Sequence, residues 1–124
     1  MNEKFEILYE LYKNPSNYGV LKNPSVIGVH FNPLCGDKVE LQLLLNEKEV
    51  LDAKFIGQGC AISQASASLL TDFLKNKSVD KIRELDLENM EELIGFKVSM
   101  GRIKCLSCAL SALQKALGDK NVEN

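Results

Sequence analysis

The chain has 124 residues, of which 45% are hydrophobic and 26% charged, and its formal net charge is −2 at pH 7. A chain of this length buries one core, so we expect a single domain over residues 1–124. The small negative charge creates no field that would gather nucleic acid or an anionic membrane surface, and both are excluded as partners. With neither an apolar leader nor a membrane-spanning run, a cytoplasmic location is expected.

The first half of the chain predicts one helix followed by three strands. Apolar residues three to four positions apart predict a helix over residues 3–13, which Asn14-Pro15 ends. β-Branched and apolar residues predict a strand over residues 26–31. Strict alternation predicts a half-buried strand over residues 38–45, and a third strand over residues 50–56 completes an antiparallel meander.

The second half of the chain contains helical patterns only. The spacing of its apolar residues predicts helices over residues 62–74, 79–85, 88–94 and 102–117, with a loop over residues 95–101. Gly118 caps the last helix, and residues 118–124 are expected to form a loose tail. Strands followed by helices predict an α+β domain, in which the helices pack on one face of a three-stranded antiparallel sheet.

Three of the four cysteines lie where the backbone favours an accessible thiol. Because no export signal precedes them, we expect all four to be reduced. Cys35 follows Pro33 in a turn between two strands, and Cys60 directly precedes a helix whose free amide groups favour a thiolate. Cys105 lies in the first turn of the last helix, where the charges of Arg102 and Lys104 are expected to lower the pKa of its thiol further.

These cysteines and one aspartate form a candidate metal site. The only closely spaced pair is Cys105 and Cys108, so paired zinc-finger ligands are absent and the ligands come from separate segments. Asp37 lies two residues after Cys35, within reach of whatever that thiol binds. Three thiolates and a carboxylate complete a tetrahedral site for a soft metal, and such a mixed site releases its metal more readily than four thiolates do.

The motifs resemble the U-type iron–sulfur cluster scaffolds, which are IscU, SufU and the N-terminal domain of NifU. Asn32-Pro33-Leu34-Cys35-Gly36-Asp37 is similar to the first cysteine loop of that family. Residues 12–19, 57–68 and 102–105 resemble its N-terminal segment and its second and third cysteine motifs, in the same order. The form Arg102-Ile103-Lys104-Cys105 resembles the SufU branch.

The resemblance implies a SufE/IscU-like fold and a function. It implies that Cys35, Cys60 and Cys105 are the ligand cysteines and that Asp37 tunes how readily the site releases its metal or cluster. The bound species is then zinc, as in SufU-type sulfur acceptors, or a [2Fe–2S] cluster, as in IscU-type assembly platforms. The implied role is that of a stoichiometric sulfur carrier and scaffold, which is not an enzyme.

The resemblance also implies partners. A cysteine desulfurase is the sulfur donor, and cluster carriers or apo targets lie downstream. The IscU branch has a histidine before its third cysteine and a proline-containing chaperone segment, whereas this chain has Lys104 and the proline-free Ser99-Met100-Gly101. These differences argue against a dedicated Hsp70 chaperone.

Within this hypothesis Cys105 is predicted to be the sulfur acceptor, because it has the nearest cations. Lys104 cannot bind metal while protonated, so it is assigned an electrostatic role. Arg102 is expected to pair with Asp37 when no metal is present.

Two other functions stay open on the residues alone. A structural zinc module would bind metal tightly and take up no sulfur, and a dithiol oxidoreductase would form a reversible disulfide between Cys105 and Cys108. Cys108 is expected to be a buried, inert thiol, and His30 a half-buried strand residue that is not a ligand. Asp37 has the alternative role of capping the turn after Gly36.

Overall fold

The computed structural model describes residues 3–118, so the predicted tail over 119–124 lies outside the described residues. No helix within this range has both the length and the apolar character needed to cross a bilayer. The elements, in chain order, are α1 (Glu3–Lys13), β1 (Val26–Asn32), β2 (Asp37–Leu45), β3 (Val50–Gln58), α2 (Ala61–Leu74), α3 (Val79–Ile82), α4 (Leu87–Ile94) and α5 (Ile103–Ala116).

The three strands form one antiparallel sheet in the order β1-β2-β3, which confirms the predicted meander. At the turn between β1 and β2 the last residue of one strand, Asn32, pairs with the first residue of the next, Asp37. Lys38 of β2 in turn pairs with Gln58 at the end of β3. The register therefore brings the first cysteine turn and the residues before α2 to the same end of the sheet.

Helices cover one face of this sheet, as predicted. The last helix, α5, packs across β1 and β2, and α2 packs against α5, α1 and β3. A side chain at Gly28 of β1 would overlap the backbone of α5 at Ala112 and Ala116, so glycine is what lets this helix approach the strand. The core between helices and sheet includes the fully buried side chains of Leu41, Leu43, Phe55, Leu70, Leu106 and Leu113.

The helix α2 is buried on almost every side, which its apolar spacing did not predict. Its buried residues include Ser63, Gln64, Ser66, Ser68 and Thr71 as well as leucines and alanines. Most of these side chains are small, and the Thr71 hydroxyl donates to the backbone carbonyl oxygen of Ala67 at 2.8 Å. Close packing of α1, α5 and β3 around α2 follows from this small-residue surface.

The segment between α2 and α5 differs from the prediction at two places. The helix predicted over residues 79–85 ends at Ile82, because Asp86 starts the next helix with a reciprocal capping box to Asn89. The predicted loop over residues 95–101 ends in a 3₁₀ turn, Met100–Arg102, and α5 begins one residue later, at Ile103. That turn ends at Arg102, which directly precedes the first turn of α5.

Candidate metal centre

The turn that holds Cys35 is shaped by the residues on either side of it. The side-chain Oδ1 of Asn32 accepts a hydrogen bond from the amide of Leu34 at 3.2 Å, and the Asn32 carbonyl accepts one from the amide of Gly36 at 2.9 Å. Gly36 has φ +73°, which glycine adopts without strain. Within this turn the thiol of Cys35 is exposed.

Asp37 is a buried carboxylate held by the start of α2. It is 0% exposed, and its Oδ1 accepts hydrogen bonds from the amide of Cys60 at 3.0 Å and from the hydroxyl of Ser63 at 3.3 Å. A side chain at Gly59, whose φ is +150°, would overlap this same oxygen. The role of Ser63 was missed by the sequence analysis, although its position three residues after Cys60 places it one helical turn away.

The second oxygen of Asp37 has no partner. Within residues 3–118, Oδ2 of Asp37 is buried and accepts no hydrogen bond. A buried carboxylate oxygen without a partner is costly, and native proteins leave few of them. This oxygen is therefore available to a ligand that arrives from outside the chain.

Two thiols converge on this carboxylate. One ligand atom from each of Cys35, Asp37 and Cys105 lies within 4.8 Å of the other two. Cys105 is in the first turn of α5 and is 0% exposed. Residues from a sheet turn and a distant helix are thus brought together, as the candidate metal site requires.

The expected lowering of the pKa of Cys105 is wrong. Burial is the main cause that raises the pKa of the Cys105 thiol, and the neighbouring side chains of Asp37 and Cys60 raise it further. The side chain of Lys104 is exposed and borders a cavity of about 400 Å³ beside His30 and Leu34. Desolvation therefore outweighs the two nearby cations.

The expected pairing of Arg102 with Asp37 is also wrong. The pKa of Arg102 is raised chiefly by a hydrogen bond to Cys105 and then by the charge of Cys60, so its guanidinium faces the thiols. Among the side chains that the structure describes, those of residues 6–118, the ion pairs are Glu10–Lys13 and Asp52–Lys75, and Asp37 is in neither.

Cys60 lies next to the converging group, with its sulfur engaged elsewhere. It is the N-cap residue of α2, and its Sγ accepts a hydrogen bond from the amide of Ser63 at 3.5 Å. Its own amide donates to Asp37, so its backbone is fixed beside the carboxylate. The thiol borders an apolar cavity of about 380 Å³ that also has Arg102 and Phe96 in its lining. A thiolate sulfur has several lone pairs, so Cys60 can keep this long capping bond while it binds a metal.

Cys108 and His30 lie outside the converging group. Cys108 is 0% exposed, as predicted, and burial raises the pKa of its thiol to about 12. Its Sγ lies 3.8 Å from the carbonyl oxygen of His30, and Nδ1 of His30 lies 3.1 Å from Nζ of Lys115. Burial and the charges of Lys115 and Lys104 lower the pKa of His30. Since Cys105 and Cys108 are both fully buried, the structure disfavours a dithiol oxidoreductase.

The residues present fit a metal that accepts both sulfur and oxygen. Zinc binds thiolates and carboxylates in tetrahedral sites, and iron in clusters is held mainly by thiolates. Two converging thiols, the adjacent thiol of Cys60 and the free oxygen of Asp37 supply four such donors. A positive ion at this point would satisfy the buried oxygen that the chain itself leaves unpaired.

Alkylation of the metal-free protein is expected to rank the four thiols by burial. At pH 8 iodoacetamide should modify Cys35 first, because its thiol is exposed, and Cys60 next. Cys105 and Cys108 should react last, because burial raises the pKa of both thiols and little thiolate is present. Peptide mass spectrometry over time measures the order, with protein in denaturant as the control. Labelling of Cys108 as fast as Cys35 would contradict this burial pattern.

Comparison with known proteins gives a consistent picture. A family model described as the NifU-like N terminal domain matches residues 3–123. The chain is 34% identical to the zinc-dependent sulfurtransferase SufU of Bacillus subtilis, over 96% of this chain and 92% of that protein. It is 30% identical to the iron–sulfur cluster assembly scaffold protein IscU of Escherichia coli, over 92% and 91% of the two chains.

Solved structures show the same fold. The N-terminal part of a nitrogen-fixing NifU-like protein from Brucella abortus superposes with a TM-score of 0.75 at 20% identity, covering 95% of this chain and 92% of that one. A SUF-system assembly scaffold candidate from Fervidobacterium islandicum superposes with a TM-score of 0.74 at 26% identity, covering 90% and 94%.

Proposed function

The chain belongs to the family of NifU-like N-terminal domains, and from this premise we propose that it takes sulfur from a cysteine desulfurase and holds it with a metal at Cys35, Asp37, Cys60 and Cys105. The metal is zinc, or it is the iron of a [2Fe–2S] cluster that the protein carries as cargo. The main support is the convergence of two thiols on a buried carboxylate with one unpartnered oxygen. One domain over residues 1–124 carries this function, in the cytoplasm, where thiols stay reduced.

The metal and the chain divide the work. Bound at these residues, zinc would keep the thiols deprotonated and tie the three segments together. The chain positions Asp37 through Cys60 and Ser63, and it buries Cys105 so that this sulfur is shielded from water. Arg102, which is exposed and faces the thiols of Cys60 and Cys105, offsets the negative charge that they carry as thiolates.

Exposure favours Cys35 as the thiol that receives sulfur first, in place of Cys105. A persulfide on a partner can be reached by the exposed Cys35, whereas Cys105 is 0% exposed. The Cys35 thiolate attacks the outer sulfur of the desulfurase persulfide, the S–S bond of the donor breaks, and the donor leaves as a thiolate. Cys35 then carries the persulfide with no net oxidation, and Cys105 serves as a buried ligand.

The surface beside the thiols suits a protein donor. Leu34, adjacent to Cys35, is 80% exposed, and Met100, two residues before Arg102, is 88% exposed. Large apolar side chains exposed beside a reactive site are typical of protein contacts. We assign this surface to the desulfurase first and to cluster carriers or apo targets afterwards, with no dedicated Hsp70 chaperone. Lys104, which is exposed and lines the same cavity as Leu34, contributes positive charge beside this surface.

Sulfur uptake separates this function from a structural zinc module. Protein purified without air is analysed for metal and then incubated with a cysteine desulfurase and cysteine, and mass spectrometry detects the addition of a sulfur atom. A stoichiometric carrier gains one sulfur atom per chain and releases it only to an acceptor. The amount of sulfur gained and released per chain therefore also distinguishes a carrier from a catalytic sulfurtransferase. A zinc module of purely structural role would gain none.

Single cysteine variants locate the acceptor. We expect Cys35→Ser to lose persulfide formation entirely and Cys105→Ser to keep a first sulfur on Cys35, because burial hides Cys105 from the donor. Each of the two variants removes one metal ligand. A difference in sulfur uptake between them therefore identifies the thiol that accepts the sulfur. Cys108→Ser is the control, and it should keep both metal and sulfur uptake. Sulfur found on Cys105 in Cys35→Ser would restore the prediction made from the sequence.

A further inference from the structure

Asn32 carries a buried hydrogen-bond donor that the fold does not use. The residue is 4% exposed, and its Oδ1 accepts from the amide of Leu34 at 3.2 Å, which fixes which end of the amide is oxygen. Its Nδ2 is buried and has no hydrogen-bond partner within the part of the chain that the structure describes. A buried amide N–H without an acceptor is costly, so its retention needs an explanation.

The position of this donor points to the metal centre. Asn32 is directly opposite Asp37 in the pairing of β1 with β2, and both side chains are buried under the helices. Cross-strand neighbours of this kind have their Cβ atoms about 5 Å apart. The two residues do not satisfy each other, because the carboxylate turns toward the start of α2 and binds the amide of Cys60 and the hydroxyl of Ser63.

This pair of opposite residues in β1 and β2 thus offers one hydrogen-bond acceptor and one donor that have no partner among the described residues. The acceptor is Oδ2 of Asp37, and the donor is Nδ2 of Asn32. A cation alone would satisfy the first and repel the second. A cation together with its thiolate ligands satisfies both, because a thiolate sulfur has lone pairs that accept N–H groups whereas a neutral thiol is a weak acceptor.

Resting on the metal site proposed above, we propose that Nδ2 of Asn32 donates a hydrogen bond to a metal-bound thiolate, that of Cys35 or Cys105. Asn32 is then a positioning residue. Its oxygen shapes the turn that presents Cys35, and its nitrogen holds a ligand sulfur in place. The hydrogen bond favours the thiolate over the thiol, so less free energy is spent on deprotonation when the metal binds. It also withdraws electron density from the sulfur, which slows attack by that sulfur. Outer hydrogen bonds of this type alter metal affinity about 10- to 100-fold.

Nuclear magnetic resonance of the unmodified sequence tests the hydrogen bond directly. The protein is loaded with cadmium-113, and through-bond coupling between the metal and the Asn32 side-chain amide protons is measured. We expect a resolved coupling to one of these protons, since it passes through the N–H···S contact. A loaded protein with assigned Asn32 protons and no coupling overturns the inference. Failure of the protein to bind cadmium or zinc at all would instead overturn the proposed function.

A variant supplies a second readout. Asn32→Ser keeps an oxygen that can accept from the amide of Leu34, but its side chain is shorter and has no group at the position of Nδ2. We expect its zinc affinity to fall about 10- to 100-fold, and the sulfur-to-metal charge-transfer bands of the cobalt-loaded protein to move to lower energy. Ser66→Ala is the control, because it removes another buried polar atom without a partner and should change neither.

The band positions separate a lost hydrogen bond from a loosened turn. If Asn32→Ser is too unstable to load with cobalt, the cadmium coupling in the unmodified protein decides alone. Wild-type zinc affinity together with unmoved cobalt bands in Asn32→Ser would overturn the inference.

Discussion

Removal of zinc is expected to lower the free energy of unfolding by about 4 kcal/mol, if free zinc stands about a thousandfold above its dissociation constant. The proposed site would join the β1–β2 turn, the start of α2 and the start of α5, and so cross-link three segments that are far apart in the chain. Without the ion, Asp37 keeps a buried oxygen with no partner. Urea unfolding at fixed free zinc, with and without a chelator, measures the difference.

Two variants show whether this increment comes from the proposed residues. Cys105→Ser removes a ligand and should lose the whole zinc-dependent increment. Cys108→Ala loses some core packing but should keep the increment, since Cys108 lies outside the converging group. An equal increment in Cys105→Ser and in the unmodified protein would place the stabilising ion elsewhere.

The variant Gly59→Ala is expected to destabilise the protein by about 2 to 4 kcal/mol and to abolish zinc binding. Its φ of +150° is a conformation that alanine rarely adopts, and the new Cβ would overlap Oδ1 of Asp37 and the hydroxyl of Ser63. The carboxylate must then move away from the amide of Cys60, which breaks the contact that positions it. Urea unfolding and zinc competition with a coloured chelator measure the two effects.

Gly118→Ala is the matched control for backbone strain. Gly118 has φ +77°, and a Cβ there would meet no atom within 4 Å. We expect a cost of about 1 kcal/mol from the left-handed conformation alone, with zinc affinity unchanged. If Gly59→Ala bound zinc as tightly as Gly118→Ala, the close approach of Gly59 to Asp37 would not matter for the metal.

The sheet could be predicted well from the sequence, because each strand has a recognisable local pattern of apolar residues. Alternation from Lys38 to Leu43 assigns a face of the sheet to each of these residues, and the pairing of β1 with β2 follows from the short turn between them. The same short turn holds Cys35 and Asp37 together, so part of the metal site was visible as a local motif. The glycine-rich approach to Cys60 was visible in the same way.

The burial of individual side chains was harder to predict. The cations at Arg102 and Lys104 suggested an activated thiol at Cys105, but the helix turns that thiol inward, where desolvation raises its pKa. Which side of a helix faces the core in its first turn depends on how the helix packs on the sheet, and local spacing gives no account of that. For the same reason, the sequence did not predict that Arg102 faces the thiols of Cys105 and Cys60.

The polar interior of α2 shows a second limit of pattern analysis. Judged by polarity alone, the serine and threonine residues of this helix would be assigned to a face exposed to solvent. In the fold, α2 lies between α1, α5 and β3, so these small side chains are buried as well. Ser63 is one of them, and its contact with Asp37 could be found only once the end of the sheet was known to meet the start of this helix.

X-ray absorption at the zinc edge of the zinc-loaded protein tests most directly whether Cys35, Asp37, Cys60 and Cys105 share one metal. The account predicts three sulfur neighbours at about 2.3 Å and one oxygen neighbour at about 2.0 Å. The spectrum of Cys60→Ser should show one sulfur fewer. Four sulfur neighbours, or a first shell of oxygen and nitrogen that is unchanged in Cys60→Ser, would contradict it.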